Sequence, residues 1–143
     1  MPLCFAIALL VPAFWGSPFC TCAHYPRTGL EARDSSSVAF VGTVLRADTT
    51  RQTSDFYPVH VRLLVEAAWK GAPTDTIDVF SGALCATHWV ARQRYVVFAS
   101  SERGRTITSF CAGTLTLSEA REVLHSLGAP RWRGRASEGQ RPN

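Results

Sequence analysis

Four cysteines and two histidines supply the side chains from which chemistry is most readily built in this sequence. Cys20, Cys22 and His24 fall within five residues, His88 follows Cys85 by three, and Cys111 stands alone further on. Such a set is open to metal ligation, nucleophilic catalysis or disulfide formation. Structural zinc sites typically place two to four residues between paired cysteines and draw on a second pair nearby, a pattern that Cys20-Thr21-Cys22-Ala23-His24 does not match. A cysteine nucleophile needs a free thiolate with a histidine partner, and an oxidised pair offers neither. His24 and His88 therefore read as loop residues, and the cysteines as disulfides.

The N-terminus supports that choice. No charged side chain precedes Arg27, and Leu3 to Trp15 is a run of thirteen mostly apolar residues. A bilayer span takes about 20 residues, so the run is too short to cross, but it suits the apolar core of a secretory signal. Residues 1–19 are read as that signal, cleaved either after Ala13, where Val11-Pro12-Ala13 is the best small-residue pattern, or between positions 19 and 20. Cys4 lies inside it, so four of the five cysteines remain in the mature chain. An even set in an oxidising compartment reads as two disulfides. A Cys20–Cys22 bridge is strained by the single residue between them, which leaves the two pairings that send Cys20 and Cys22 to Cys85 and Cys111. By loop-closure entropy each long bridge contributes about 4 kcal/mol before native strain is subtracted.

The elements that position these residues are mainly strands. Val38 to Leu45 is a β-branched and aromatic run with Gly42 inside it, a strand with a bulge or bend. Val59, Val61, Leu63 and Val65 alternate with His60, Arg62, Leu64 and Glu66, as in a strand with one buried face. Trp69-Lys70-Gly71 reads as the turn that ends it, with Trp69 packed on the body of the domain. Thr76 to Phe80, Arg94 to Ala99 and Thr106 to Phe110 complete five strands. A helical turn is expected around Leu30 to Arg33, and Thr49 to Asp55 is turn-like. Thr116 and Glu119 have capping-box spacing ahead of Leu117, Ala120, Val123, Leu124 and Leu127, which predicts an amphipathic helix ending at Gly128. Five strands with short connections, one C-terminal helix and no βαβ alternation predict an all-β domain over residues 20–128, with a five-stranded Greek-key barrel of the oligonucleotide/oligosaccharide-binding kind as the leading architecture and a β-sandwich as its rival from pattern alone. Residues 129–143 are expected to be a disordered basic tail apart from a contact by Trp132.

Charge excludes several functions. Of the net +4, three charges come from the tail, where Arg131, Arg133, Arg135 and Arg141 face only Glu138. The folded part is near neutral and carries no Lys/Arg stripe interleaved with aromatics, which argues against nucleic acid as a partner. Asp34, Asp48, Asp55, Glu66, Asp75 and Asp78 fall in turns or on solvent faces, and no nucleophile elbow, paired carboxylates or phosphate-binding glycine loop occurs. The chain reads as non-enzymatic and calls for no cofactor.

Cys20-Thr21-Cys22, Val38-Ala39-Phe40-Val41-Gly42-Thr43-Val44, Trp69-Lys70-Gly71, Cys85, Tyr95-Val96-Val97-Phe98 and Cys111, taken in order, resemble the N-terminal domain of tissue inhibitors of metalloproteinases, within the wider netrin-like superfamily. The resemblance covers about Cys20 to Gly128 and implies a five-stranded barrel with the bridges Cys20–Cys85 and Cys22–Cys111. It also implies a secreted or periplasmic inhibitor whose Cys20, as the first residue, chelates the catalytic zinc of a metalloproteinase through its α-amine and carbonyl oxygen. Thr21 would enter the specificity pocket, and Cys22 would fix the ridge. The third disulfide of the animal domain has no counterpart here, and cleavage after Ala13 would block the chelating amine with Phe14 to Phe19. That start would instead suit a netrin-like module that holds an extracellular protein or glycan.

Overall fold

Alternation in Val59–Val65 has a direct physical outcome: Val61, Leu63 and Val65 turn into a closed barrel while Arg62 faces solvent. The computed structural model describes residues 20–50, 56–71, 74–82 and 85–135. In chain order these form α1 (Gly29–Asp34), β1 (Val38–Thr49), β2 (Val59–Lys70), β3 (Thr76–Ser81), β4 (Arg94–Glu102), β5 (Arg105–Thr108), a 3₁₀ turn (Phe110–Ala112), β6 (Leu115–Thr116), α2 (Arg121–Leu127) and β7 (Trp132–Arg133). The signal-peptide reading of residues 1–19 with Cys4, the acidic Asp55 and the last eight residues of the tail lie outside the described residues.

The barrel closes in the order β1-β2-β3-β5-β4 and back to β1. Strands β3 and β5 pair in parallel and the other barrel pairs are antiparallel. This is the expected all-β Greek-key barrel with a short flanking C-terminal helix. Residues Tyr95 to Ala99 of β4 are buried on both faces. Tyr95, Val97 and Ala99 join Phe40, Val44, Leu63 and Val79 inside the barrel. Val96 and Phe98 face outward with Ala39, Val41 and Trp69, under a layer that includes Ala32, Ala120 and Leu127. The pairing of β1 with β2 shifts register between Val41 and Gly42, which is the anticipated irregularity. A Cβ on Gly42 would lie 3.0 Å from both the Leu64 carbonyl and the Phe40 ring.

Several element ends differ from expectation. Strand β2 continues through Trp69 and Lys70, because beyond Glu66 its outer face is covered and period-2 alternation no longer marks it. Only Gly71, with φ 93°, starts the turn. Trp69 is buried and donates its Nε1–H to the Gly128 carbonyl at 2.8 Å, while Lys70 Nζ donates to the carbonyls of Arg33 and Asp34. The end of β2 therefore holds the C-termini of both helices. Thr116 does donate to Glu119, at 2.6 Å, but the bond braces a turn, and regular helix starts only at Arg121. Strand β5 stops at Thr108, so Phe110 belongs to the 3₁₀ turn.

The tail is not disordered over its first part. Trp132 and Arg133 pair with Ala68 and Ala67 of β2, held by hydrogen bonds from Arg131 N–H to Ala68 O and from Gly134 N–H to Glu66 O. The β2–β3 ladder ends at Leu64, with one further bond from Val65 N–H to Asp75 O, so β7 covers the β2 edge that β3 leaves open, and the Trp132 ring packs against the barrel core. Among the described residues no helix is long and apolar enough to cross a membrane.

On its edge away from β1, β4 pairs with β6 at Tyr95 and Val96 and with β5 from Ala99 onward. The chain leaves this edge between Thr108 and Thr114, and two hydroxyls fill the gap. Thr108 Oγ1 donates to Phe98 O at 2.7 Å, Phe98 N–H donates to Thr114 Oγ1 at 3.0 Å, and the two hydroxyls are 2.8 Å apart. T114V keeps the volume but strips the buried Phe98 N–H of its acceptor, so urea denaturation should show a loss of about 1–3 kcal/mol. T114S should lose less.

On the outer face, Arg62 grips Asp78 through two bonds of 2.9 Å and His60 adds a third at 3.0 Å. The Arg62 guanidinium, with His60 assisting, holds the Asp78 carboxyl down to about 2. Its contribution is therefore complete above the ordinary carboxylate range near 3.8 and disappears as pH falls toward 2. Acid titration of unfolding should show this window in the native protein and a shallower pH dependence across it in D78N.

Candidate functional site

The chain enters the described structure at Cys20, and the first three residues are bolted to two separate connections. Cys20 is bonded to Cys85 in the β3–β4 connection, and Cys22 to Cys111 in the 3₁₀ turn after β5. The Cα–Cα distances are 5.2 and 5.4 Å. Of the two pairings left open by the residues, this is the one that the resemblance implies. Cys20 and Thr21 are exposed, and Cys22, Cys85 and Cys111 are half-buried.

Each anchor is itself held. The 3₁₀ turn carrying Cys111 is pinned at both ends by the Thr108 and Thr114 hydroxyls on Phe98. The Phe110 N–H donates to Cys85 O at 3.1 Å, which joins the two half-cystine loops directly. Cys85 sits at φ 54°, a left-handed conformation that is strained for a residue with a Cβ. Downstream of the ridge, Glu31 accepts from the Arg27 N–H at 2.8 Å and contacts His24 Nε2 at 2.8 Å. These contacts, the Arg27 N–H foremost, lower the Glu31 carboxyl below its ordinary range. Thr28 caps α1 by accepting from the Glu31 N–H. The Tyr25 and Phe110 rings, with centroids 5.4 Å apart and about two-fifths exposed, flank the ridge.

Most side chains that could serve other chemistry have partners of their own. His24 is occupied by Glu31. His88 is exposed, its carbonyl accepts from the Tyr95 hydroxyl, and neighbouring Cys85 is oxidised. An open groove of about 400 Å³ runs past His88, Tyr95, Phe110 and Thr114. Glu66 is taken by Arg94 and Thr43, Asp78 by Arg62 and His60, Asp48 by Arg46, and Asp34 by Arg33. Among the described residues, one group of three potential cation ligands comes together, the sulfurs of Cys20, Cys85 and Cys111, all within 4.8 Å of one another. All three are consumed in disulfides.

The supports of the ridge are less legible in sequence than the ridge. Thr108 and Thr114 carry no local signal, since their partner Phe98 lies ten and sixteen residues away. Thr28 and Glu31 do have capping-box spacing. At Gly113, with φ 91°, a Cβ would meet Pro26 Cγ at 2.9 Å, so it is where the segment after Cys22 rests on the barrel. G113A should cost about 1–2 kcal/mol from the backbone alone, with a further loss from the Pro26 clash. G104A, at φ 78° with open space around it, should show only the backbone cost in the same urea denaturation experiment.

No protein-family model and no curated protein matches the chain.

Proposed function

We propose that this disulfide-bonded barrel is a secreted, non-enzymatic inhibitor of zinc metalloproteinases that acts through the ridge Cys20-Thr21-Cys22. The observation that carries the reading is the presentation of Cys20 and Thr21, exposed at the surface and flanked by two bridges to separate loops. A backbone segment immobilised before binding loses little conformational freedom on docking. With Cys20 as the first residue, its neutral α-amine and carbonyl oxygen displace the water from a catalytic zinc, and Thr21 enters the adjoining pocket. Export through residues 1–19 accounts for the oxidised cysteines.

The intact mass of the secreted protein, measured non-reduced and reduced, fixes its first residue and its bridges. Protein that starts at Cys20 should inhibit a zinc metalloendopeptidase with one-to-one stoichiometry. A single Ala ahead of Cys20 removes the chelating amine and should raise the inhibition constant by at least about 100-fold, equivalent to about 2.7 kcal/mol. Because the free amine titrates near about 8, affinity should weaken as pH falls below the amine's pKa in the complex. Equal inhibition by the extended form, or none by either, would overturn chelation and favour the netrin-like module that binds an extracellular protein or glycan.

A further inference from the structure

The two bridges touch. Cys20 Sγ lies 3.9 Å from Cys111 Sγ, although the two belong to different disulfides, and Cys85 Sγ completes the group of three within 4.8 Å. All four sulfurs are oxidised, so the approach is a contact between bridges and no proton is shared across it.

Thiol–disulfide exchange proceeds by attack of a thiolate on a neighbouring disulfide sulfur, and this arrangement places the attacker beside its target. If a reductant opens Cys20–Cys85, the Cys20 thiolate is next to Cys111. Attack there forms Cys20–Cys111 and expels Cys22 as a thiolate, which takes a proton from water. If Cys22–Cys111 opens first, the Cys111 thiolate attacks Cys20, forms the same Cys20–Cys111 bond and expels Cys85. Both routes end with one disulfide and free thiols at Cys22 and Cys85.

A second observation gives the exchange a direction. Cys85 is held at φ 54°, one of only three non-glycine residues with positive φ among those described. Freeing its side chain lets the loop leave a conformation that a β-carbon disfavours. The native pairing keeps Cys85 there, whereas the exchanged pairing releases it.

We propose that the bridges form one exchange unit, so that two-electron reduction of the folded protein yields Cys20–Cys111 and leaves Cys22 and Cys85 as the thiols open to modification. The inference does not depend on metalloproteinase inhibition. The reductant is any thiol or phosphine. With a phosphine, one equivalent supplies two electrons, two protons from water complete the thiols, and the phosphine becomes its oxide.

The test is partial reduction of the whole protein with a limiting phosphine at pH 8, alkylation of the free thiols, and mass mapping of the doubly alkylated species. The expected result is alkylated Cys22 and Cys85 with an intact Cys20–Cys111 bridge as the dominant species. Retention of either native bridge in that species, or a statistical mixture like that formed in guanidinium, would overturn the proposal. The variant C22S makes an independent check, because it leaves three of the four bridge cysteines. It should carry Cys20–Cys111 with Cys85 free, whereas a folded C22S that keeps Cys20–Cys85 with Cys111 free would count against exchange. Should C22S fail to fold, the partial-reduction result on the native chain decides alone.

Discussion

The unpaired stretch on one edge of β4 is the constraint on which the candidate site depends. Tyr95 to Ala99 are buried on both faces, so water is not at hand to satisfy the backbone groups that β5 and β6 leave open at Phe98. Side chains have to do it, and the hydroxyls of Thr108 and Thr114 do so from the two ends of the excursion that carries Cys111. The position of the disulfide anchor is thus set by the need to hydrogen-bond one residue of the core. A strand that continued unbroken from β5 to β6 would satisfy Phe98 equally well, but it would leave no turn to receive Cys22.

The outer layer depends on β2 in a comparable way. Its two helices have six and seven residues, well below the length at which an isolated helix persists in water. Trp69 and Lys70 hold their C-terminal carbonyls, and Gly29 donates its N–H to Ser126 of α2 at 2.9 Å. A Cβ at Gly29 would come within 2.5 Å of the Val123 carbonyl, so the close approach of the helices requires glycine there. Helix α1 in turn follows the Glu31-braced segment that links it to the ridge, which makes β2, both helices and the ridge one mechanical unit.

What sequence reveals here divides along physical lines. Local periodicity marks Val59–Val65 and the run Tyr95–Phe98, because one face or both faces of a strand bury successive side chains in a regular way. It fails at Trp69 and Lys70, where burial comes from helices distant in sequence. It fails again at Trp132, whose strand forms because β3 leaves part of β2 without a partner. Thr116 and Glu119 show that capping-box spacing can mark the turn that leads into a helix and not the helix's own first turn. At the site, the even set of cysteines is legible, but geometry alone left two pairings. The chain's three-dimensional course selects between them, and the threonines that hold Cys111 become visible only with that course.

The sequence separations of the bridges, 65 and 89 residues, also bear on the protein's synthesis. A ribosome adds about 5–20 residues per second, so Cys20 and Cys22 wait on the order of ten seconds before their partners exist. During that wait, among the four bridge cysteines, each of the two has only the other within easy reach. The Cys20–Cys85 bridge has both its cysteines once β3 has been made, whereas Cys22 must remain available until β5 is complete. Closure of the second bridge is therefore a late event that follows synthesis of all five barrel strands.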